Sequence, residues 1–104
     1  MPAIFVYMTA GSMEEANKVA DALISERLAA CVNILPGMRS CYYWKGKVER
    51  DEEVVLIAKS KEALLPLLVE KVKEVHSYEV PCVVSIPISG GNPDFLDWIK
   101  RETR

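Results

Sequence analysis

The sequence has one histidine, three cysteines and no excess of basic residues, and each shortage removes a class of function. Thirteen lysines and arginines against fifteen acidic residues give a formal net charge of −2, so no general basic field draws in nucleic acid or an anionic membrane. Neither is expected as a partner. Cys31, Cys41 and Cys82 are odd in number and far apart, which argues against a disulfide framework and against a zinc site built from Cys-x-x-Cys pairs. Each sits among apolar or β-branched neighbours and reads as a small buried hydrophobe. No apolar run approaches the roughly eighteen residues of a membrane helix, and Met1-Pro2-Ala3-Ile4 does not read as a signal peptide, so a cytoplasmic location is expected. Gly90-Gly91 lacks the lysine and hydroxyl residue of a phosphate-binding loop. A cysteine nucleophile could pair Cys31 with His76, but nothing supplies an orienting third group or an oxyanion site. The protein is therefore not expected to be an enzyme.

What is present is an ordinary globular composition, half hydrophobic and 27% charged, over 104 residues. That length suits one domain, residues 1–104, burying roughly two thirds of its unfolded surface. The apolar run from Ala3 to Met8 reads as a central strand. Ser12 and Glu15 form a capping box, and Ala16, Val19, Ala20, Leu23, Ile24 and Leu28 follow at helical spacing. A strand from Cys31 to Leu35 meets Pro36-Gly37, where a bend or bulge is expected, and resumes from Ser40 to Trp44. Lys45-Gly46-Lys47 turns a hairpin. The returning strand carries Glu49-Arg50-Asp51-Glu52-Glu53, expected in solvent or at an interface rim because unpaired carboxylates resist burial, and then the apolar run Val54 to Ala58.

Ser60 reads as the cap of a second helix using Leu64, Leu65, Leu68, Val72 and Val75, with Pro66 implying an irregular first turn or a start near Leu65. A fourth strand, Val80 to Ile88, carries prolines at 81 and 87 that suit an edge. Asn92 caps and Pro93 opens a last helix buried through Phe95, Trp98 and Ile99. The order is β-α-β-β-α-β plus a C-terminal helix, an α+β fold of the ferredoxin-like kind with strands one and three central. Those two strands are apolar on both faces, while two helices cover one. A homo-oligomer is the expected solution, with edge strands available for joining subunits.

The chemically versatile groups concentrate in Val75-His76-Ser77-Tyr78-Glu79-Val80-Pro81, at a helix-to-strand corner. His76 could be a metal ligand, an acid-base group or simply the cap on the helix carbonyls. A soft partner from Met8, Cys31 or Cys82 would favour copper. Tyr42-Tyr43-Trp44, without surrounding arginines, reads as interface packing in preference to base stacking.

Several longer words are specific: Glu26-Arg27-Leu28-Ala29-Ala30-Cys31-Val32-Asn33-Ile34, Pro36-Gly37 with Ser40, Tyr42 and Trp44-Lys45-Gly46-Lys47, then Lys59, His76, Tyr78-Glu79-Val80-Pro81, and Gly91-Asn92 with Phe95-Leu96 and Trp98. In these the chain resembles the CutA divalent-cation tolerance proteins over nearly its whole length. The resemblance implies a cytoplasmic homotrimer of ferredoxin-like subunits, similar in architecture to the PII signalling proteins and linked to copper and other divalent-ion tolerance. Family ligand positions, a thiol ending the first strand and two histidines ending the second helix, correspond here to Met8, Val75 and His76. His76, Met8 and Glu79 are thus the candidate ligands for a weakly bound Cu(II) or other divalent cation. Cys31, Asn33, Trp44, Lys59 and Tyr78 are the candidates for a cleft between subunits. The alternative is a PII-like signalling trimer holding a small anion or metabolite there, with Lys59 supplying charge. Ser77 stands where the family usually has proline, which loosens the restriction on His76.

Overall fold

The computed structural model describes residues 2–104. Strand β1, Ala3–Ala10, is followed by helix α1, Met13–Ser25, and by the long strands β2, Cys31–Trp44, and β3, Lys47–Lys61. A 3-10 turn over Glu62–Leu64 leads into α2, Leu65–Val75, and the chain closes with β4, Val83–Pro87, and α3, Pro93–Arg101. The strands form one antiparallel sheet in the order β2-β3-β1-β4. This is the expected α+β arrangement, with β1 and β3 in the centre.

Local chemistry sets most boundaries. The Ser12 side chain accepts the Glu15 N–H at 3.2 Å and starts α1. Pro66 lies in the first turn of α2, where its missing N–H costs nothing, and the 3-10 turn absorbs the irregularity before it. Asn92 caps α3 through the Asp94 N–H. Ser60 does not cap α2 as expected. It belongs to β3, is fully buried, and donates its hydroxyl to the Leu28 carbonyl at 2.6 Å. Helix α1 ends at Ser25, and Leu28 is buried beyond it in a turn where Arg27 has φ of 57°. Ile24 and Phe95, both expected inside, are 43% exposed.

One face of the sheet meets α1 and α2 in a core built on Val6, Met8, Leu23, Leu56, Leu68 and Val72. On the other face, register brings together Phe5 with Lys59, Tyr7 with Ile57 and Thr9 with Val55, flanked by Leu35 on β2 and by Val84 and Ile86 on β4. Lys61 shares that parity, and its ammonium reaches the Thr103 carbonyl at 3.3 Å, so the C-terminal segment after α3 covers one end of this face. Leu35, Val84 and Ile86 remain more than half exposed. The apolar second face anticipated from the sequence is therefore real, and only partly covered within one chain.

The bulge at Pro36-Gly37 decides where the hairpin's side chains point. Leu35 pairs with Val55 and Met38 with Glu53, so two residues of β2 oppose one of β3. Beyond the bulge the parity of β2 changes: Tyr42 and Trp44 share a face with Leu35 and, on β3, with Asp51, Glu53 and Val55. An unbroken strand would have sent both aromatics to the opposite side. Gly37 has φ of 85°, in the left-handed region, and a Cβ there would touch nothing. Gly37→Ala is expected to cost about 1–2 kcal/mol through backbone conformation alone, whereas Gly90→Ala, in equally open space and without a positive φ, stays within about 0.5 kcal/mol. Urea unfolding of both variants at one protein concentration checks this, and equal effects would contradict it.

Candidate functional site

Beyond the bulge the hairpin and the corner after α2 frame a half-open cavity of about 410 Å³. Its aromatic walls are Tyr42, Trp44 and Tyr78, and its carboxylates are Asp51, Glu53 and Glu79. Thr9, Val80 and Cys82 complete the lining, which contains no lysine, arginine or histidine. Strand alternation supplies the hairpin contribution, as described above. The corner supplies Tyr78, whose hydroxyl comes so close to the backbone at Gly11 that a Cβ there would lie 3.2 Å from it. A side chain at position 11 would push the phenol aside.

Two phenol–carboxylate pairs organise the cavity, one at its inner wall and one exposed. Tyr78 donates its hydroxyl to Glu53 Oε2 at 2.7 Å, and Tyr42 donates to Asp51 Oδ2 at 2.5 Å. Glu53, in the stretch expected in solvent or at an interface rim, is only 6% exposed within the chain, while Asp51 and Glu52 do remain exposed. Among the described residues the Tyr78 hydroxyl is the only hydrogen-bond donor to the Glu53 carboxylate, and no basic side chain is within ion-pair distance of it. The pairs show in the acidities. The Asp51 hydrogen bond, with nearby carboxylates, pushes the Tyr42 phenol up to about 12. Burial first and the Glu53 hydrogen bond second hold the Tyr78 phenol well above its ordinary value. Burial, reinforced by Glu53, also raises the Cys82 thiol.

His76 lies behind this cavity and does not line it. Its side chain is 1% exposed, with Nε2–H donating to the Thr9 carbonyl at 2.8 Å and Nδ1 accepting the Tyr78 N–H at 3.1 Å. Both ring nitrogens are thus occupied by partners within the protein. Glu15 Oε1 lies 3.2 Å from Nδ1 and accepts the Ser77 hydroxyl at 3.0 Å. The imidazole ring also meets the Tyr78 ring edge-on, with centroids 4.6 Å apart. His76 therefore positions Tyr78.

The expected metal set is not assembled. Met8 is 1% exposed in the helix–sheet core, both nitrogens of His76 are engaged, and Glu79 sits at the cavity rim, 3.7 Å from the Lys45 ammonium. Among the described residues no three His, Cys, Asp or Glu side chains are grouped to hold a metal ion. The expected cleft divides likewise. Trp44, Tyr78 and Glu79 line the cavity. Cys31, Asn33 and Lys59 gather at the other end of the β2–β3 ladder, where Cys31 pairs with Lys59 and the Lys59 ammonium donates to Asn33 Oδ1. Cys82, a candidate soft ligand on the sequence, does join the cavity lining, whereas Tyr42, Asp51, Glu53 and Thr9 were missed as site residues, although a bulge with strict alternation beyond it would have aligned the first three.

Both phenols have raised folded-state pKa values, so their stabilisation is fully present below the ordinary tyrosine pKa of about 10 and is lost as pH rises through the folded values. Tyrosinate absorbance should therefore keep growing well past the usual range, and Tyr42→Phe or Tyr78→Phe should each remove part of the late phase. A wild-type titration complete in the ordinary range would contradict the two pairs.

Residues 4–102 match the family model described as CutA1 divalent ion tolerance protein. The chain is 50% identical over 104 residues to "Protein CutA 1, chloroplastic" of Oryza sativa subsp. japonica, covering all of this chain and 59% of that protein. It is 47% identical over 98 residues to "Divalent-cation tolerance protein CutA" of Thermus thermophilus, covering 94% of this chain and 95% of that one. It thus spans somewhat under 60% of the plant relatives, including the Arabidopsis thaliana protein at 57%, but nearly all of the bacterial one. The crystal structure of CutA1 from Oryza sativa superposes with a TM-score of 0.97 at 50% identity, covering 100% of this chain and 95% of that chain. The periplasmic divalent cation tolerance protein CutA from Archaeoglobus fulgidus gives 0.93 at 42% identity, covering 96% and 97%. Relatives are thus described as chloroplastic in two cases and periplasmic in another, and among the described residues here no helix is long and apolar enough to cross a membrane. On sequence and fold together, the chain belongs to the CutA1 divalent ion tolerance family.

Proposed function

We propose that this chain is one subunit of a non-enzymatic, homotrimeric divalent-cation tolerance protein that takes up copper or another divalent cation weakly at its acidic cavity. The observation carrying this reading is Glu53, a carboxylate 6% exposed with no basic partner among the described residues. A buried carboxylate of this kind is stabilised by a cation. The names of the Thermus and Archaeoglobus relatives support the divalent-ion role. Affinity is low because the ligands are dispersed, mainly oxygens, and not closed into a coordination shell within one subunit. Self-association follows from the exposed Leu35, Val84 and Ile86, and the number three from the resemblance in architecture to PII-like CutA proteins. Three free cysteines suit the reducing cytoplasm.

One observation favours the second reading, a trimer that binds a small molecule in a cleft. A volume of about 410 Å³ is far more than a single ion needs. The anionic version of that reading has less support, since Lys59 is engaged by Asn33 outside the cavity.

Calorimetric titration with Cu(II) is expected to give weak saturable binding that Glu53→Gln reduces by about tenfold, as for a lost charge-assisted contact. His76→Ala, which removes no ligand but loosens Tyr78, should weaken binding less than Glu53→Gln does. Loss of binding in His76→Ala with retention in Glu53→Gln would return the ligand role to the histidine. Sedimentation velocity at micromolar concentration should show no monomer, and a stable folded monomer would overturn the assembly.

A further inference from the structure

We propose that Glu15 is a positioning residue for the cavity: from the first turn of α1 it latches the corner that carries Tyr78. The role goes beyond the cation reading and stands whatever the cavity takes up.

The corner needs outside support. Residues 76–82 belong to no helix or strand, and the last helical bond of α2 runs from the His76 N–H to the Val72 carbonyl at 2.9 Å. His76 itself is extended, with φ of −90° and ψ of 144°. Contacts from elsewhere therefore fix the path of the chain, and three successive residues are held from one segment, the junction between β1 and α1. The Thr9 carbonyl meets His76 Nε2 at 2.8 Å, the Glu15 carboxylate accepts the Ser77 hydroxyl at 3.0 Å, and Gly11 leaves room for the Tyr78 ring, whose hydroxyl would lie 3.2 Å from a Cβ there. Two of these holds come from the backbone or from the lack of a side chain. Glu15 supplies the one that depends on a side chain of the junction.

Glu15 departs from its ordinary helix-capping geometry to do so. In a full capping box the carboxylate three residues after the cap reaches back to the N–H of the cap. Ser12 does accept the Glu15 N–H at 3.2 Å, but among the described residues no bond returns from the Ser12 N–H to the Glu15 carboxylate. The side chain instead points to a residue 62 positions away and is only 17% exposed, with no lysine or arginine within ion-pair distance. Turning a carboxylate inward costs solvation. What it meets there is the Ser77 hydroxyl and, 3.2 Å from Oε1, the His76 ring nitrogen Nδ1.

One oxygen thus contacts both residues that precede Tyr78. The Tyr78 N–H donates to His76 Nδ1 at 3.1 Å, and its hydroxyl donates to Glu53 Oε2 at 2.7 Å. A shift at Ser77 passes to Tyr78 through a single peptide unit. Ser77 is exposed and makes no other side-chain hydrogen bond among the described residues, so the latch is the only polar hold on its side chain.

Native-state amide exchange of the assembled protein near neutral pH, without metal, tests this. Glu15→Ala should speed exchange of the Tyr78 N–H by about tenfold, while amides of β1 and β3 keep their rates. Ser77→Ala, at an exposed position, should have the same effect and serves if Glu15→Ala fails to fold. The double variant should be no faster than either single one, because both changes remove the same bond. Glu15→Gln, which keeps an acceptor for the Ser77 hydroxyl, should stay within about threefold of the wild type. An unchanged Tyr78 rate in the alanine variants, multiplied effects in the double variant, equal acceleration across β1 and β3, or a Gln variant as fast as the alanine one would overturn the assignment. Absence of Cu(II) binding overturns the metal reading and leaves this assignment standing, since the exchange is read without metal.

Discussion

Side chains alternate across a strand, so one extra residue decides which groups can meet. In β2 that residue lies in the Pro36-Gly37 bulge. It lets the apolar half of the strand place Val32 and Ile34 against the helix-side core while the polar half sends Tyr42 and Trp44 to the other face. There they join Asp51 and Glu53 of β3, and Thr9, across from Val55, continues the same face on β1. The cavity exists because these registers agree.

The second constraint is electrostatic. Burying Glu53 beside Asp51 without a basic side chain is costly, and the structure offsets only part of that cost through two phenol donors. His76 secures the more deeply buried phenol: it ties the Thr9 carbonyl to the Tyr78 N–H, and Gly11 leaves room for the ring. The only histidine thus serves the cavity from behind. Its value is geometric, because the orientation of Tyr78 determines whether Glu53 has any donor at all. The negative charge left over favours a cation.

Much of the fold was legible because it depends on local signals. Ser12, Asn92 and Pro66 act within a turn of themselves, the Lys45-Gly46 turn closes its own hairpin, and apolar periodicity identified Leu23, Leu68 and Val72 as core. Ser60 was misread because a cap and a buried strand hydroxyl look alike until Leu28 is known to lie opposite. The burial of Glu53 was hidden for a related reason. Its carboxylate neighbours in sequence are exposed, and only the corner after α2, 25 residues away, buries it. Met8 shows the limit of arguing from ligand type. Its sulfur suits copper, but the parity of β1 turns it into the core with Val6 and Ala10. The site was half legible for the same reason: Trp44, Tyr78 and Glu79 announced themselves by chemistry, while Tyr42, Asp51 and Glu53 needed the register.

A crystal structure of the assembled protein grown with Cu(II) tests most directly whether Glu53 takes a cation from outside the protein. The account predicts a metal ion at the Glu53 carboxylate and none at His76. A lysine or arginine of a neighbouring subunit filling the cavity and pairing with Glu53 would contradict it.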